Sequence, residues 1–377
     1  MSVRRAAWLE IDLGAIAHNV KELRRATQST AMLMAVVKAN AYGHGAVEVS
    51  RVALANGADW LAVATLDEAL ELREGGFSVP LLIMGHIPAE RAEEVVAAEL
   101  RPAVFNHGFA RALSQAAVKL GRTVPVHVKV DSGMGRVGFP AGREAVAAVK
   151  SISRLPGIKV EGIFTHLAAS DSEDKRFARI QLQRFDQVWE ALKAEGLEIR
   201  IRHAANSGAI IDLPESHYQL VRAGISLYGY FPSDEVNQEA VDLKPAMTLK
   251  AEVVQVKEVT AGTPISYGMT YYTSRSSRIA TLPLGYADGY PRLLSNRAEV
   301  LVRGKRAPVV GRVCMDQLMI DVGHLPQVEL GDEVVLLGEQ MGQRISAEEL
   351  GRWAETINYE IVTRMGSRLD RIYIGSR

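Results

Sequence analysis

A switch in texture near residue 231 limits most strongly what this chain can fold into. Before it, from residue 30 to 230, apolar and β-branched runs recur near residues 31–37, 60–65, 79–85, 101–106, 124–130, 158–166, 199–206 and 219–228. Stretches with helical spacing lie between most of them. LDEALELREGG (66–76) groups Leu66, Ala69 and Leu70 before a Gly-Gly stop. PAERAEEVVAAEL (88–100) opens on proline and carries early acids. FARIQLQRFDQVWEALKAEG (177–196) sets Ile180, Phe185, Val188, Trp189 and Leu192 on one face. Such an alternation calls for a parallel sheet with crossover helices. Eight runs point to a closed (β/α)8 TIM-type barrel, and a single miscount would favour an open doubly wound sheet.

After the polar, proline-flanked stretch FPSDEVNQEAVDLKP (231–245), strand patterns with glycine turns take over, and only ISAEELGRWAETI (345–357) reads clearly as a helix. The expected architecture is a barrel domain over residues 1–238 and a C-terminal, mostly antiparallel β domain over 239–377.

Composition removes several function classes. The 377 residues are 47% hydrophobic and carry no formal net charge, which gives no reason to invoke nucleic acid or an anionic membrane surface. No stretch approaches the roughly 18 apolar residues of a membrane span. Arg4 and Arg5 are followed too soon by Glu10 and Asp12 for a signal peptide, and the sole cysteine, Cys314, has no internal partner for a disulfide. A cytoplasmic protein is the expectation. No residue set is assigned to a metal, and neither a GxGxxG after the first strand nor a GxxxxGK[ST] is present to support a dinucleotide fold or a P-loop.

The strand ends carry the chemistry. Lys38 follows the run AMLMAVV and opens a loop of Asn, Gly, Tyr and His. An ammonium beside an apolar interior is costly, and a desolvated lysine loses its proton more easily and can condense with a carbonyl. The bland alternative is a snorkelling lysine that caps a strand. Lys129 lies inside the valine-rich fifth run, where it wants a carboxylate partner or a chemical modification. Asp131 and Arg136 follow it, His166 ends the sixth run, Asn206 and Ser207 the seventh, and Arg222 with Gly224 and Ile225 the eighth. Singly, His166 reads as a core histidine, Asn206-Ser207 as a helix cap and Arg136 as a solvated charge. On one barrel face they read together as a site. The Ser207 and Gly224-Ile225 region also suits a phosphate held by backbone amides and short side chains.

VVKANAYGHG (36–45) resembles the pyridoxal-phosphate attachment motif of the alanine racemases. VKVDSGMGRVG, FTHLA, AANS, RAGISLYG, ISYGMTYY, LGYADGYPR, GRVCMDQ and INYE are similar to segments of that family, in its order, from residue 36 to 360. The resemblance implies a barrel followed by a β domain, a homodimer with shared active sites, a first dozen or so residues that pack with the β domain, and interconversion of L- and D-alanine, supplying D-alanine for peptidoglycan. It implies that Lys38 holds pyridoxal 5'-phosphate and that Tyr42, Ser207, Gly224, Ile225 and Tyr359 hold its phosphate, with Asn206 nearby. Arg222, oriented by His166, would face the ring nitrogen. Arg136 would contact the ring hydroxyl and the substrate carboxylate, and Lys129 matches a position often carbamylated. Tyr267, Cys314, Met315 and Asp316 would come from the other subunit, with Tyr267 as the base opposing Lys38. Asp171, Tyr286, Arg292, Arg312 and Ile357 match the substrate entrance, and Arg292 is expected to tune Tyr267.

Other activities remain to be weighed. A racemase acting on serine would use the same chemistry, because one methylene is worth only about 1–3 kcal/mol of discrimination. A basic-amino-acid decarboxylase of this architecture would need a glutamate where Arg222 stands. A non-catalytic pyridoxal-phosphate carrier would need no β domain.

Overall fold

The computed structural model describes residues 5–325 and 327–375, so Arg4 of the N-terminal segment lies outside the described residues. The chain divides into two compact units. One, the barrel unit, comprises Ile16–Ala41 and Ala46–Lys244. The other, the β unit, takes in the N-terminal stretch through Ala15, the short insert Tyr42–Gly45 and the stretch from Pro245 on.

All eight expected runs form strands in the barrel unit: β1 (Met32–Val36), β2 (Trp60–Val63), β3 (Leu81–Ile83), β4 (Arg101–Val104), β5 (Val124–Asp131), β6 (Ile158–Phe164), β7 (Ile201–His203) and β8 (Leu220–Ala223). They pair in parallel in that order, and β8 returns to pair with β1. The β7–β8 seam has no regular ladder, but Gln219 N donates to Arg202 O and Arg222 N to Ala205 O, which brings the ring to near closure. The helices between strands are largely those their spacing predicts. Leu66–Glu74 starts with a capping box between Thr65 and Glu68, and Arg176–Ala194 buries Phe185, Val188 and Leu192. The 88–100 pattern departs from expectation. It splits into a 3-10 turn (Ala89–Arg91) and a short helix (Ala92–Ala97), because Arg91 leaves helical geometry at φ −96°, ψ 10° while its guanidinium bridges Asp67 and Glu94.

Barrel interiors are ordinarily filled by branched aliphatic side chains. Here the wall formed by β5, β7 and β8 sends His127, Lys129, His203 and Arg222 inward, all of them buried. His127 and His203 lie two strands apart, with β6 between them, yet their ring nitrogens approach to 2.8 Å, which only the interior allows.

In the β unit, Ala7–Asp12 lies between Met247–Glu252, antiparallel, and Asp370–Ile374, parallel. The sheet continues through Glu333–Gln340 to Glu299–Val302 and Lys305–Pro308. A separate antiparallel sheet joins Gln255–Val259, Ser277–Leu282 and Leu318–Asp321, and a two-stranded hairpin (Pro264–Ile265 with Tyr271–Tyr272) carries Tyr267 at its turn. The insert is clamped locally: Arg371 Nε donates to Gly43 O at 2.8 Å, and a Cβ on Gly43 would meet Val362 O at 2.5 Å.

Candidate active site

In the barrel unit, Lys38 begins two residues past the end of β1, at a backbone turn of unusual strain. Ala39, Asn40, Ala41 and Tyr42 all have φ between 50° and 53°. Left-handed backbone costs L-residues roughly 1–2 kcal/mol each, so the turn needs anchors. Glu68 supplies one: its carboxylate accepts from Ala39 N at 2.6 Å and also from Ala64 N and Thr65 N, tying the turn to the end of β2. Asn40 supplies another through its side-chain oxygen, which accepts from Ala46 N. Burial and the charge of Arg136 lower the Lys38 pKa, against an opposing pull from Glu68. The neutral amine that carbonyl chemistry needs is thereby easier to reach.

Arg222 is the most constrained cation of the site. Its guanidinium donates to His203 Nδ1 (2.9 Å), Thr165 O (2.9 Å), Ala204 O (2.9 Å) and His166 Nδ1 (3.1 Å). Burial and Arg136 push its pKa down to about 9, which leaves it charged at neutral pH. His166 and His203 are held well below the usual histidine range, chiefly by burial and then by Arg222, as fits neutral rings that accept its protons. Lys129 is buried, its Nζ donates to Val130 O, and it stands 5.3 Å from the centre of the Phe164 ring. Burial, reinforced by Arg222, drops its pKa to about 7. Asp131, the nearby carboxylate, spends its oxygens on the amides of Gly133, Met134 and Gly135, which shapes the loop that ends at exposed Arg136.

Beyond β7 and β8, Ser207 Oγ accepts from Gly224 N at 2.9 Å and from Ser226 N at 3.4 Å, so it joins the two turns expected to receive a phosphate. Ile225 opens the 3-10 turn after Gly224. Asn206 is committed to structure: its side-chain oxygen caps the helix Ser207–Asp212 and accepts from Ser170 Oγ. Asp171 is half-buried, and its carbonyl accepts from Ser233 Oγ.

In the β unit, Tyr42 and Tyr359 face each other with ring centroids 6.3 Å apart, and burial pushes the Tyr42 phenol up to about 12. A second group gathers around Tyr267, which is 74% exposed. Its neighbour Ser266 donates to Arg312 O and approaches Cys314 Sγ at 3.4 Å. A Cβ on Gly268 would meet the Arg312 guanidinium at 3.3 Å, so the cation beside the tyrosine turn is Arg312. Arg292 sits in another 3-10 turn, tied to this stretch through Ser295, whose hydroxyl donates to Arg292 O and accepts from Val313 N. Tyr286 N donates to Cys314 O, and Asp316 pairs with Arg368. Met315 and Ile357 are exposed.

His203, His127 and Glu161 around Arg222, and Glu68 behind Lys38, were not singled out by sequence. A histidine pair at inward positions of apolar strands was the available signal for the first two. Glu68 reads from sequence only as an early helix acid.

The donor set fits pyridoxal phosphate. Lys38, Lys129, Arg136 and Arg222 all act electrostatically on His166, while Asp131 is occupied by backbone amides. Such a field favours a phosphorylated ring and a substrate carboxylate.

The family model described as "Alanine racemase, N-terminal domain" matches residues 11–232, and "Alanine racemase, C-terminal domain" matches residues 246–373. An alanine racemase of Desulforamulus reducens is 49% identical over 99% of this chain and 100% of its own length. One of Methanococcus maripaludis is 47% identical over 99% and 100%. Among solved structures, alanine racemase of Clostridium difficile 630 superposes with a TM-score of 0.95 at 38% identity, covering 99% of this chain and 96% of that one. Alanine racemase from Bartonella henselae, solved with covalently bound pyridoxal phosphate, gives 0.87 at 30% identity over 98% and 99%.

Proposed function

This chain belongs to the alanine racemase family, and from that premise we propose how its own residues interconvert L- and D-alanine with pyridoxal phosphate. The family's product serves peptidoglycan synthesis. When bound, the cofactor supplies the electron sink that a carbanion next to a carboxylate requires. A positioned base alone contributes only about 10²–10⁴-fold, well short of the roughly 10⁶-fold or more that enzymes reach.

Lys38 would hold the cofactor aldehyde, and its Nζ would take or return the α-proton on one face. Its lowered pKa supports that role. Tyr267 Oη serves the opposite face. An ordinary phenol titrates near 10, so it needs a cationic neighbour, and Arg312 is the one beside its turn. Arg222 would face the ring nitrogen and, being a donor only, could take up no proton there. Arg136 binds the substrate carboxylate. Ser207, Gly224 and Ile225, with Tyr42 and Tyr359, hold the phosphate, while Asn206 shapes the Ser207 turn from behind. Lys129, with a pKa near 7, has the neutral amine that reaction with CO2 requires, and the resulting carbamate would turn a buried cation into a partner for Arg136.

The exposure of Tyr267 and Met315 supports a second part of the reading. Together with Cys314 and Asp316 they complete the site of a partner protomer in a cytoplasmic homodimer, and Asp171, Tyr286, Arg292, Arg312 and Ile357 are the residues of the substrate entrance. Large apolar side chains displayed in this way mark interaction surfaces.

The observation that carries the catalytic assignment is the convergence of Lys38, Lys129, Arg136 and Arg222 on His166 at the C-terminal ends of the barrel strands. The test is optical rotation and α-proton exchange into D2O on L-alanine with added cofactor. Wild type racemises, and Lys38→Ala is at least about 10⁴-fold slower, with its imine absorbance gone. Absence of racemisation by wild type contradicts the reading.

A further inference from the structure

Behind Arg222, away from the strand ends, a buried chain of polar groups crosses the barrel interior and ends on a carboxylate. Arg222 Nη1 meets His203 Nδ1 at 2.9 Å. His203 Nε2 meets His127 Nδ1 at 2.8 Å. His127 Nε2 faces Glu161 Oε2 at 3.5 Å, and Glu161 accepts from Arg101 Nε at 3.1 Å. Both rings are fully buried.

The direction of every link follows from its first member. A guanidinium only donates, so His203 Nδ1 must accept and its proton must sit on Nε2. That proton is donated to His127 Nδ1, which places the second ring's proton on Nε2; this nitrogen makes no formed hydrogen bond and lies 3.5 Å from Glu161 Oε2, so the carboxylate acts on it by charge. Burial keeps both rings neutral.

The backbone is adapted to this chain. Between β5 and β6 the register shifts at His127: Val126 pairs with Val160 but His127 pairs with Gly162, so Glu161 is the extra residue of a bulge. Bulges re-aim a side chain, and this one turns Glu161 toward the imidazole of His127, the residue just past Val126. Gly162 makes the space, since a Cβ there would lie 2.7 Å from both Cε1 and Nδ1 of His127. Phe164 stacks on His203 with an interplanar angle of 3°, and Trp60 meets His127 edge-on, which fixes both ring planes.

We propose that Glu161 and His127 are positioning residues that act on Arg222 through His203, holding its guanidinium in one orientation toward the cofactor ring nitrogen. The carboxylate draws the His127 proton, His127 Nδ1 becomes a better acceptor for His203, and His203 Nδ1 a better acceptor for Arg222. Arg101 keeps the terminal carboxylate charged: burial raises the Glu161 pKa, but His127 and Arg101 outweigh it and hold the group below its ordinary value. The inference rests on the reading that Arg222 faces the ring nitrogen, and its test is independent of turnover.

The test is 15N NMR of the full chain labelled at histidine, with and without pyridoxal phosphate. Wild type shows His203 and His127 neutral, with Nδ1 bare and Nε2 protonated, from about pH 6 to 8. Glu161→Leu frees His127 to populate both tautomers, shifts the His203 nitrogens and lowers kcat about tenfold. Glu161→Gln, which keeps an acceptor oxygen, restores the wild-type tautomers. A protonated Nδ1 on either wild-type ring overturns the proposal, and that spectrum needs no variant to fold. Unchanged His203 signals in Glu161→Leu, or a Glu161→Gln spectrum matching that of Glu161→Leu, overturn it as well. Wild type that fails to racemise alanine while showing these tautomers would contradict the function and leave the relay standing.

Discussion

The two units present their chemical groups in opposite ways. In the barrel unit, Arg222 is buried and satisfied by four acceptors, and His203 is sealed between Phe164 and His127. In the β unit, Tyr267 stands on a hairpin turn with 74% of its surface in solvent, and Met315 and Ile357 are more than half exposed. A buried polar group must be paired where it stands, so the barrel groups are already ordered for their task. The β-unit groups have no such need within one chain. The contrast fits the proposed reading, in which the barrel unit carries a preorganised half-site and Tyr267 and Met315 belong to a displayed one that serves a second copy of the chain.

If that contrast holds, substitutions in the two regions should fail differently. Tyr267→Phe should lower racemisation by about 10²–10⁴-fold while changing stability by less than about 0.5 kcal/mol. Steady-state rates and urea unfolding of one preparation check both. A large stability loss would mean that Tyr267 is structural. Arg222→Leu should do the reverse first, destabilising the fold by on the order of 3–5 kcal/mol, because it strips two imidazoles and two carbonyls of their donor in a buried place. Unfolding at midpoints close to wild type would break the comparison from the barrel side.

Lys129 sharpens it through pH. Its folded pKa, about 7, lies below its ordinary value of 10.5. Between those values the unfolded chain binds the extra proton, so stability rises with pH across that window. The penalty is complete below about pH 7 and gone near 10.5. In CO2-free buffer, Lys129→Met should therefore be more stable than wild type by on the order of 2 kcal/mol at pH 6, with the gain shrinking toward pH 10. Urea unfolding at several pH values reads this directly. With 13C-bicarbonate, a carbamate signal that disappears in Lys129→Met would report the modified lysine.

Much of the fold was legible because strand and helix periodicities are local. Seven of the eight strands fell within their apolar runs and β5 passed the end of its run by one residue, Asp131, while Lys38, Arg222 and Ser207 stood out as polar groups at strand ends. What could not be read depends on distant partners. His127 and His203 are 76 residues apart, and only barrel curvature and a bulge at Glu161 bring them together. The left-handed turn after Lys38 was also hidden, because Ala39 and Ala41 carry no mark of positive φ, and its anchor Glu68 lies on another element. At Asn206 the bland alternative describes the side chain correctly: it is a helix cap. The cation beside Tyr267 could not be chosen from sequence, since Arg292 and Arg312 both lie in polar turns and only hairpin geometry sets Arg312 against Gly268.

The most direct test of the two half-sites is subunit complementation. Lys38→Ala and Tyr267→Phe chains, each nearly inactive alone, are mixed under conditions where subunit exchange is verified by mass tags. If the displayed half-site serves a partner, each mixed dimer regains one intact site, and random exchange at equal amounts should restore about a quarter of wild-type activity. No recovery after confirmed exchange would contradict the account, because Lys38 and Tyr267 would then have to act from the same chain.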